Sequence, residues 1–128
     1  MKLDVEASAK IAKSIKAKKK ECYTNSFKAL SLLPEGSLYV EGVACIHSLG
    51  VPLDHGWCLL PDGETVIDVT WCDSAPVSYS PLAIYTMKEI LEILDENRYM
   101  PVSWRGGKVT MESYMKVLRE CDCGTDEE

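Results

Sequence analysis

The sequence predicts an α+β domain, a small antiparallel sheet packed against helices. Three observations predict it. Apolar residues recur at helical spacing near both ends of the chain. Between them, from Ser37 to Trp71, strand formers take over and the period shortens. Asp62-Gly63 stands between two of these strand-like runs, the strongest short-range sign of a hairpin. The 128 residues suit one domain, read as a basic N-terminal helix over 1–20, a core over 21–119 and an acidic tail over 120–128. A chain of this length buries roughly two-thirds of its unfolded surface, enough for a core without staples.

The elements follow in order. From about Asp4 to Lys20 no Gly or Pro interrupts a thin apolar stripe of Val5, Ala9, Ile11, Ala12 and Ile15, which predicts a helix. A second helix is expected from Glu21 or Cys22 to Leu33, with Phe27, Leu30 and Leu33 on one face, stopped by Pro34-Glu35-Gly36. No strong breaker lies between Lys20 and Tyr23, so the two helices read equally as separate or continuous. Ser37 to Ser48 is rich in strand formers, and Gly50-Val51-Pro52 is expected to turn. Asp54 to Leu60 and Thr65 to Trp71 then flank Pro61-Asp62-Gly63-Glu64, giving a sheet of at least three strands. Cys72 to Pro81 reads as an irregular loop long enough to border an active site. Thr86-Met87-Lys88-Glu89 has the form of a capping box that opens a helix to about Arg98, with Ile90, Leu91 and Leu94 inward. Pro101 to Trp104 is expected as a short strand, and Thr110 to Arg119 as a last helix.

Composition excludes several classes. No apolar run approaches the ~20 residues that span a bilayer, so no membrane partner is expected. Met1 to Glu6 lacks the apolar stretch of a secretory signal, and the expected location is cytoplasmic. The net charge of −6 argues against nucleic-acid binding, which depends on neutralising phosphates. The basic Lys10–Lys20 stretch opposes that overall sign; its Lys16–Lys20 cluster reads as a solvated helix face or, alternatively, as a patch with a local role. Of the six cysteines, Cys45, Cys58 and Cys72 lie in or beside apolar runs, where a thiol behaves as a small hydrophobe. Cys121-Asp122-Cys123 alone is too little for a zinc site, and neither a metal nor a cofactor is expected.

The hairpin carries the chemistry. If Asp62-Gly63 is a two-residue turn, facing residues have numbers that sum to 125, so Trp57 faces Asp68 and His55 faces Thr70. All four then share one sheet face, with Asp68 diagonal to His55 at ~7–8 Å between backbones, within side-chain reach. A carboxylate there holds an imidazole in one tautomer and stabilises its protonated form. A lone Asp inside Val66-Ile67-Asp68-Val69 is costly on a buried face unless paired; the plain alternative is a face open to water. Cys22 starts a predicted helix directly after Lys18-Lys19-Lys20, and helix N-termini and nearby cations both favour thiolate. Asn25, one turn on, shares its face and reads either as an oxyanion or substrate helper or as an ordinary polar helix residue. Trp57 and Tyr39 are expected to line or wall the pocket, with Glu41 beside Tyr39. His47 is the rival base, with no carboxylate in a definable position.

Cys22, then His55-Gly56-Trp57, then an acidic turn and Asp68-Val69-Thr70-Trp71 resemble the transglutaminase-like branch of the papain-like cysteine enzyme superfamily. There a helix-borne Cys precedes a strand His and a strand Asp. The resemblance covers about Glu21 to Trp71. It implies a papain/transglutaminase-like fold with Cys22 as nucleophile, His55 as general base and acid, and Asp68 as orienter. The chain departs from the pattern at Glu21-Cys22-Tyr23, where a Gly or Trp is usual, and has no upstream Gln to serve as an oxyanion donor.

Two functions follow. The first is a cysteine-nucleophile enzyme acting on an amide or thioester bond of a protein or small molecule through a covalent thioester: a peptidase, amidase, deamidase or transglutaminase. The second is a binding module on the same fold, recognising a small molecule or partner protein without turnover. The sequence does not address oligomeric state.

Overall fold

The computed structural model describes residues 1–72, 77–96, 102–103 and 107–121. Asp4 caps the first helix by accepting the Ala7 N–H at 3.0 Å, and α1 runs Val5–Ile15. It ends before its lysines do, because Lys16 enters the left-handed region (φ 56°, ψ 54°). A new helix, α2, starts at Cys22 and ends at Leu30. The question of one helix or two is thus settled by backbone conformation at Lys16, where no Gly announced it. The expected extension to Leu33 is also shortened.

The sheet has five strands in the order β1-β4-β3-β2-β5: β1 Lys2–Leu3, β2 Leu38–Ile46, β3 Val51–Leu59, β4 Thr65–Ile67 and β5 Val77–Tyr85. It is mixed rather than purely antiparallel, since β1 pairs parallel with β4 through Lys2↔Thr65 and Leu3↔Val66. The β2–β3 hairpin turns over residues 47–50, so Val51 and Pro52 belong to β3 and not to the turn. At the second hairpin, Cys58↔Ile67 and Leu59↔Val66 keep the expected register. The loop, however, has four residues, Pro61 to Glu64. Leu60 N–H donates to Thr65 O at 2.9 Å, and Gly63 (φ 73°) donates to Leu60 O at 2.9 Å. Two- and four-residue loops share a parity and a centre, so the register survives the error in loop length.

Val77 to Pro81, expected as loop, belongs to β5, which pairs with β2 along its length. The register shifts between Glu41 and Gly42, opposite Pro81. A proline lacks the N–H a ladder needs and is tolerated at such irregularities. Gly42 makes the approach possible: a Cβ there would collide with the Ser80 carbonyl and lie 2.9 Å from Pro81 Cα and from the Trp57 ring. Residues 73–76 of the expected loop lie outside the described residues.

The capping box forms as read: Glu89 N–H donates to Thr86 Oγ1 at 3.1 Å, and Thr86 N–H to Glu89 Oε1 at 2.8 Å, opening α3 (Met87–Glu96). Thr110 caps α4 (Met111–Glu120). The strand expected over 101–104 does not appear at Val102 and Ser103; Arg98, Pro101, Trp104 and the tail beyond Cys121 lie outside the described residues. One sheet face, through Tyr39, Cys58, Ile67 and Tyr85, packs on Ala29 and Leu30 of α2 and Ile90 of α3. The other face gathers Val40, Ala44, Trp57, Leu59 and Val66 with Trp71, Val77 and Tyr79. Cys45 is disulfide-bonded, correcting its reading as a buried thiol. No helix among the described residues is long and apolar enough to cross a membrane.

Candidate functional site

Asp68 follows the last residue of β4, and it is fully buried. Its side chain bends back on its own backbone: Oδ1 accepts the N–H groups of Thr70 at 3.1 Å and Trp71 at 3.0 Å. Such a turn suits Asp and fixes the carboxylate before any partner is considered. Oδ2 then accepts two further donors, His55 Nε2–H at 2.8 Å and Tyr79 O–H at 2.8 Å. The backbone N–H of Asp68 donates to Ser8 Oγ of α1 at 3.0 Å, which ties the first helix to the site. Burial would push this carboxyl up; the His55 bond and charge, the Trp71 N–H and the Tyr79 hydroxyl outweigh it and hold its pKa below the ordinary value.

His55 is 1% exposed. Trp71 lies against its ring, centroids 3.6 Å apart and planes 9° from parallel, and Trp57 stacks at 6.1 Å. Burial opposes protonation of this imidazole. Hydrogen bonds to Asp68 and to the Cys22 side chain, with the charges of both, prevail and raise its pKa to about 9. Because Nε2 is bound to Asp68, Nδ1 is the ring nitrogen left for the Cys22 sulfur. Cys22 itself is half-buried on the first turn of α2.

Gly56 is what lets that helix tip come so close. A Cβ at this position would stand 2.8 Å from Tyr23 Cδ1. The first-turn N–H groups of α2 have no acceptor within the helix, and Glu21 at the cap makes no side-chain bond to them. They are backbone donors beside the sulfur.

The remaining expected residues divide. Asn25 is buried, and its amide is engaged within the chain: Oδ1 accepts Lys18 N–H at 3.0 Å, and Nδ2 donates to Lys18 O at 2.7 Å and to Thr70 Oγ1 at 2.9 Å. Both amide hydrogens are used, so Asn25 joins the loop before Cys22 to the turn after Asp68. Trp57 is beside His55 but wholly buried. Tyr39 lies on the opposite sheet face, also buried, its hydroxyl donating to Glu41 Oε2 at 2.6 Å. Glu41 in turn accepts the N–H groups of Val102 and Ser103, each at 2.8 Å. His47 meets Ser78 Oγ at 2.6 Å, away from Asp68.

Tyr79 and Ser8 were not anticipated. Tyr79 sits in a stretch whose two prolines suggested loop, although Val77, Tyr79 and Pro81 alternate as a strand does. Ser8 carries no sequence signal beyond being a small polar residue on an otherwise apolar helix face. Among the described residues, no group of three or more His, Cys, Asp or Glu is arranged to hold a metal ion. Compared with protein-family models, curated proteins and solved structures, the chain matches none.

Proposed function

We propose that this chain is a cysteine-nucleophile enzyme acting on amide or thioester bonds, with Cys22 as nucleophile, His55 as general base and acid, and Asp68 as orienter. One observation carries the reading: a buried imidazole is bonded through Nε2 to a buried carboxylate at 2.8 Å, with the Cys22 side chain of the α2 tip close enough to contribute to its raised pKa. A ring whose pKa is raised to about 9 keeps a proton to give to a leaving amine or thiol. A buried carboxylate with four donors of its own has ample support to remain an anion.

In this mechanism the Cys22 sulfur attacks the substrate carbonyl, forming the C–S bond while the carbonyl electrons move to oxygen. The backbone N–H of Cys22 is the proposed donor to that oxygen. Collapse expels an amine or thiol, which takes its proton from His55. His55, now neutral, deprotonates the acceptor that attacks the thioester. Water as acceptor makes the protein a peptidase, amidase or deamidase; an amine makes it a transglutaminase. Asn25, Thr70 and Ser8 act as positioning residues, and Trp71 and Trp57 keep water from the His55–Asp68 bond.

The test is selective alkylation. Iodoacetamide near pH 6 is expected to label Cys22 ahead of the other cysteines, and His55→Ala to remove that preference. Labelling that is indifferent to His55 would reject the enzyme. A Cys22→Ser protein that keeps full biological activity would favour a binding module instead.

A further inference from the structure

Four lysines stand among the five residues from Lys16 to Lys20, immediately before the helix tip that carries Cys22, in a chain of net charge −6. All four are exposed, and within residues 16–21 only Glu21 opposes them. The segment is built rather than trailing. Lys16 and Lys20 take positive φ, 56° and 65°. Lys20 is the third residue of a turn closed by Glu21 N–H to Lys18 O at 3.3 Å, where Gly or Asn is the comfortable choice. Asn25 grips Lys18 by both its N–H and its carbonyl, and with its other amide hydrogen holds Thr70, two residues past Asp68. The basic loop and the His55–Asp68 pair therefore share one scaffold.

Burial chiefly holds the Tyr23 phenol above its ordinary range, and the charges of Cys22, Asp54 and Glu41 add to it. Lys18, Lys19 and Lys20 stand two to four residues before the thiol in the chain, and exposed charges are felt over about one Debye length, ~8–10 Å at moderate salt. Their field acts on whatever approaches the sulfur.

We propose, resting on the reading of Cys22 as nucleophile, that the Lys18–Lys20 turn selects acyl donors carrying an anionic group, a carboxylate or phosphate, close to the reacting carbonyl. The lysines bind the anionic end, and the helix tip meets the carbonyl. The loop forms no bond to the substrate carbonyl, so its effect beyond support of the thiolate lies in the choice of donor.

The experiment compares two activated esters, neutral 4-nitrophenyl acetate and anionic mono-4-nitrophenyl succinate. In each, the Cys22 thiolate forms a C–S bond, the ester C–O bond breaks, and 4-nitrophenolate leaves with the electron pair. The burst of nitrophenolate gives the rate, and peptide mass mapping gives the acylated residue. Wild-type protein is expected to favour the succinate, and about 0.5 M NaCl to flatten that preference. Changing Lys18, Lys19 and Lys20 together to Glu is expected to lower the succinate-to-acetate ratio about five- to tenfold. The acetate rate is expected to fall too, because the lysines also favour the Cys22 thiolate, but by less than the succinate rate, and the corresponding Gln variant to fall between. A ratio insensitive to both salt and charge reversal, with Cys22 still acylated, overturns this inference alone. Failure of both esters to acylate Cys22 in wild-type protein overturns the nucleophile reading and this one with it.

Discussion

Among the described residues two carboxylates are buried, Glu41 in β2 and Asp68 just past β4, and they do different work. Asp68 is fully buried and Glu41 2% exposed. Each is satisfied: Asp68 by two backbone N–H groups, a tyrosine and a histidine, Glu41 by two backbone N–H groups and a tyrosine. The histidine is the whole difference. Among the described residues Glu41 meets only groups that do not change charge at ordinary pH, and it locks Val102 and Ser103 onto β2. Asp68 meets a ring that does titrate, and so it sets that ring's protonation as well as its position. Burial of a charge therefore identifies a candidate site only when one of its partners can move a proton.

Replacing the two acids separately breaks the comparison most sharply. Asp68→Asn keeps the shape but offers an amide where the ring needs an anion. The rate of Cys22 acylation is expected to fall by about 10²–10⁴, as for an orienting carboxylate in a triad. Glu41→Gln turns an amide NH₂ toward a cluster of donors and leaves at least one unpaired. A stability loss of about 1–3 kcal/mol is expected, with the acylation rate of the folded protein retained. Urea titration together with burst kinetics on both variants checks this. Equal loss of rate in the two would mean that Asp68, like Glu41, is only a structural clasp.

This contrast was half legible in the sequence. Asp68 within Val66-Ile67-Asp68-Val69 stood out because a charge inside an apolar run demands a partner, and hairpin parity pointed to His55. The parity held with the loop length wrong, because four residues centred on Asp62-Gly63 pair the same positions as two. Glu41 could be placed near Tyr39, but its main partners are the N–H groups of residues 61 and 62 positions later, which no local pattern encodes. The same limit hid Ser8 and Tyr79, and the parallel pairing of β1, whose two residues are too few to show a period. Asn25 was visible as a polar residue on the face of Cys22. That its amide was already engaged depended on Lys16 ending α1, a left-handed lysine that propensity gives no reason to expect.

pH sharpens the comparison next. The folded-state pKa of His55 is raised from 6.5 to about 9. The stability this supplies is fully present below pH 6.5 and is lost as pH rises through about 9. Its ceiling is ~3 kcal/mol, at ~1.4 kcal/mol per pH unit between the two values. Asp68 has the reverse sign: with its pKa depressed, its contribution is present above the ordinary 3.8 and is lost as pH falls through the lower folded value. Denaturation of wild type, Asp68→Asn and Glu41→Gln between pH 6 and 9.5 is expected to show wild type and Glu41→Gln losing stability in parallel. Asp68→Asn should lose distinctly less. Three parallel curves would dismiss the His55–Asp68 coupling.

The smallest effect tests what holds Asp68 in place. Tyr79 donates to the same oxygen that accepts the His55 proton, whereas the Thr70 and Trp71 N–H groups occupy the other. If the backbone turn alone positions the carboxylate, Tyr79→Phe removes one donor to a buried anion and nothing else. It should then cost about 0.5–1.5 kcal/mol, with the Cys22 labelling rate near pH 6 held within about threefold. With the competing donor gone, more negative charge faces the ring, so the alkaline limb of the labelling profile should move up by a few tenths of a pH unit. A loss of labelling as large as that of Asp68→Asn would mean instead that the carboxylate swings once Tyr79 lets go. The orienter would then be a Tyr79–Asp68 unit spanning β5 and the end of β4, rather than a single residue fixed by its own turn.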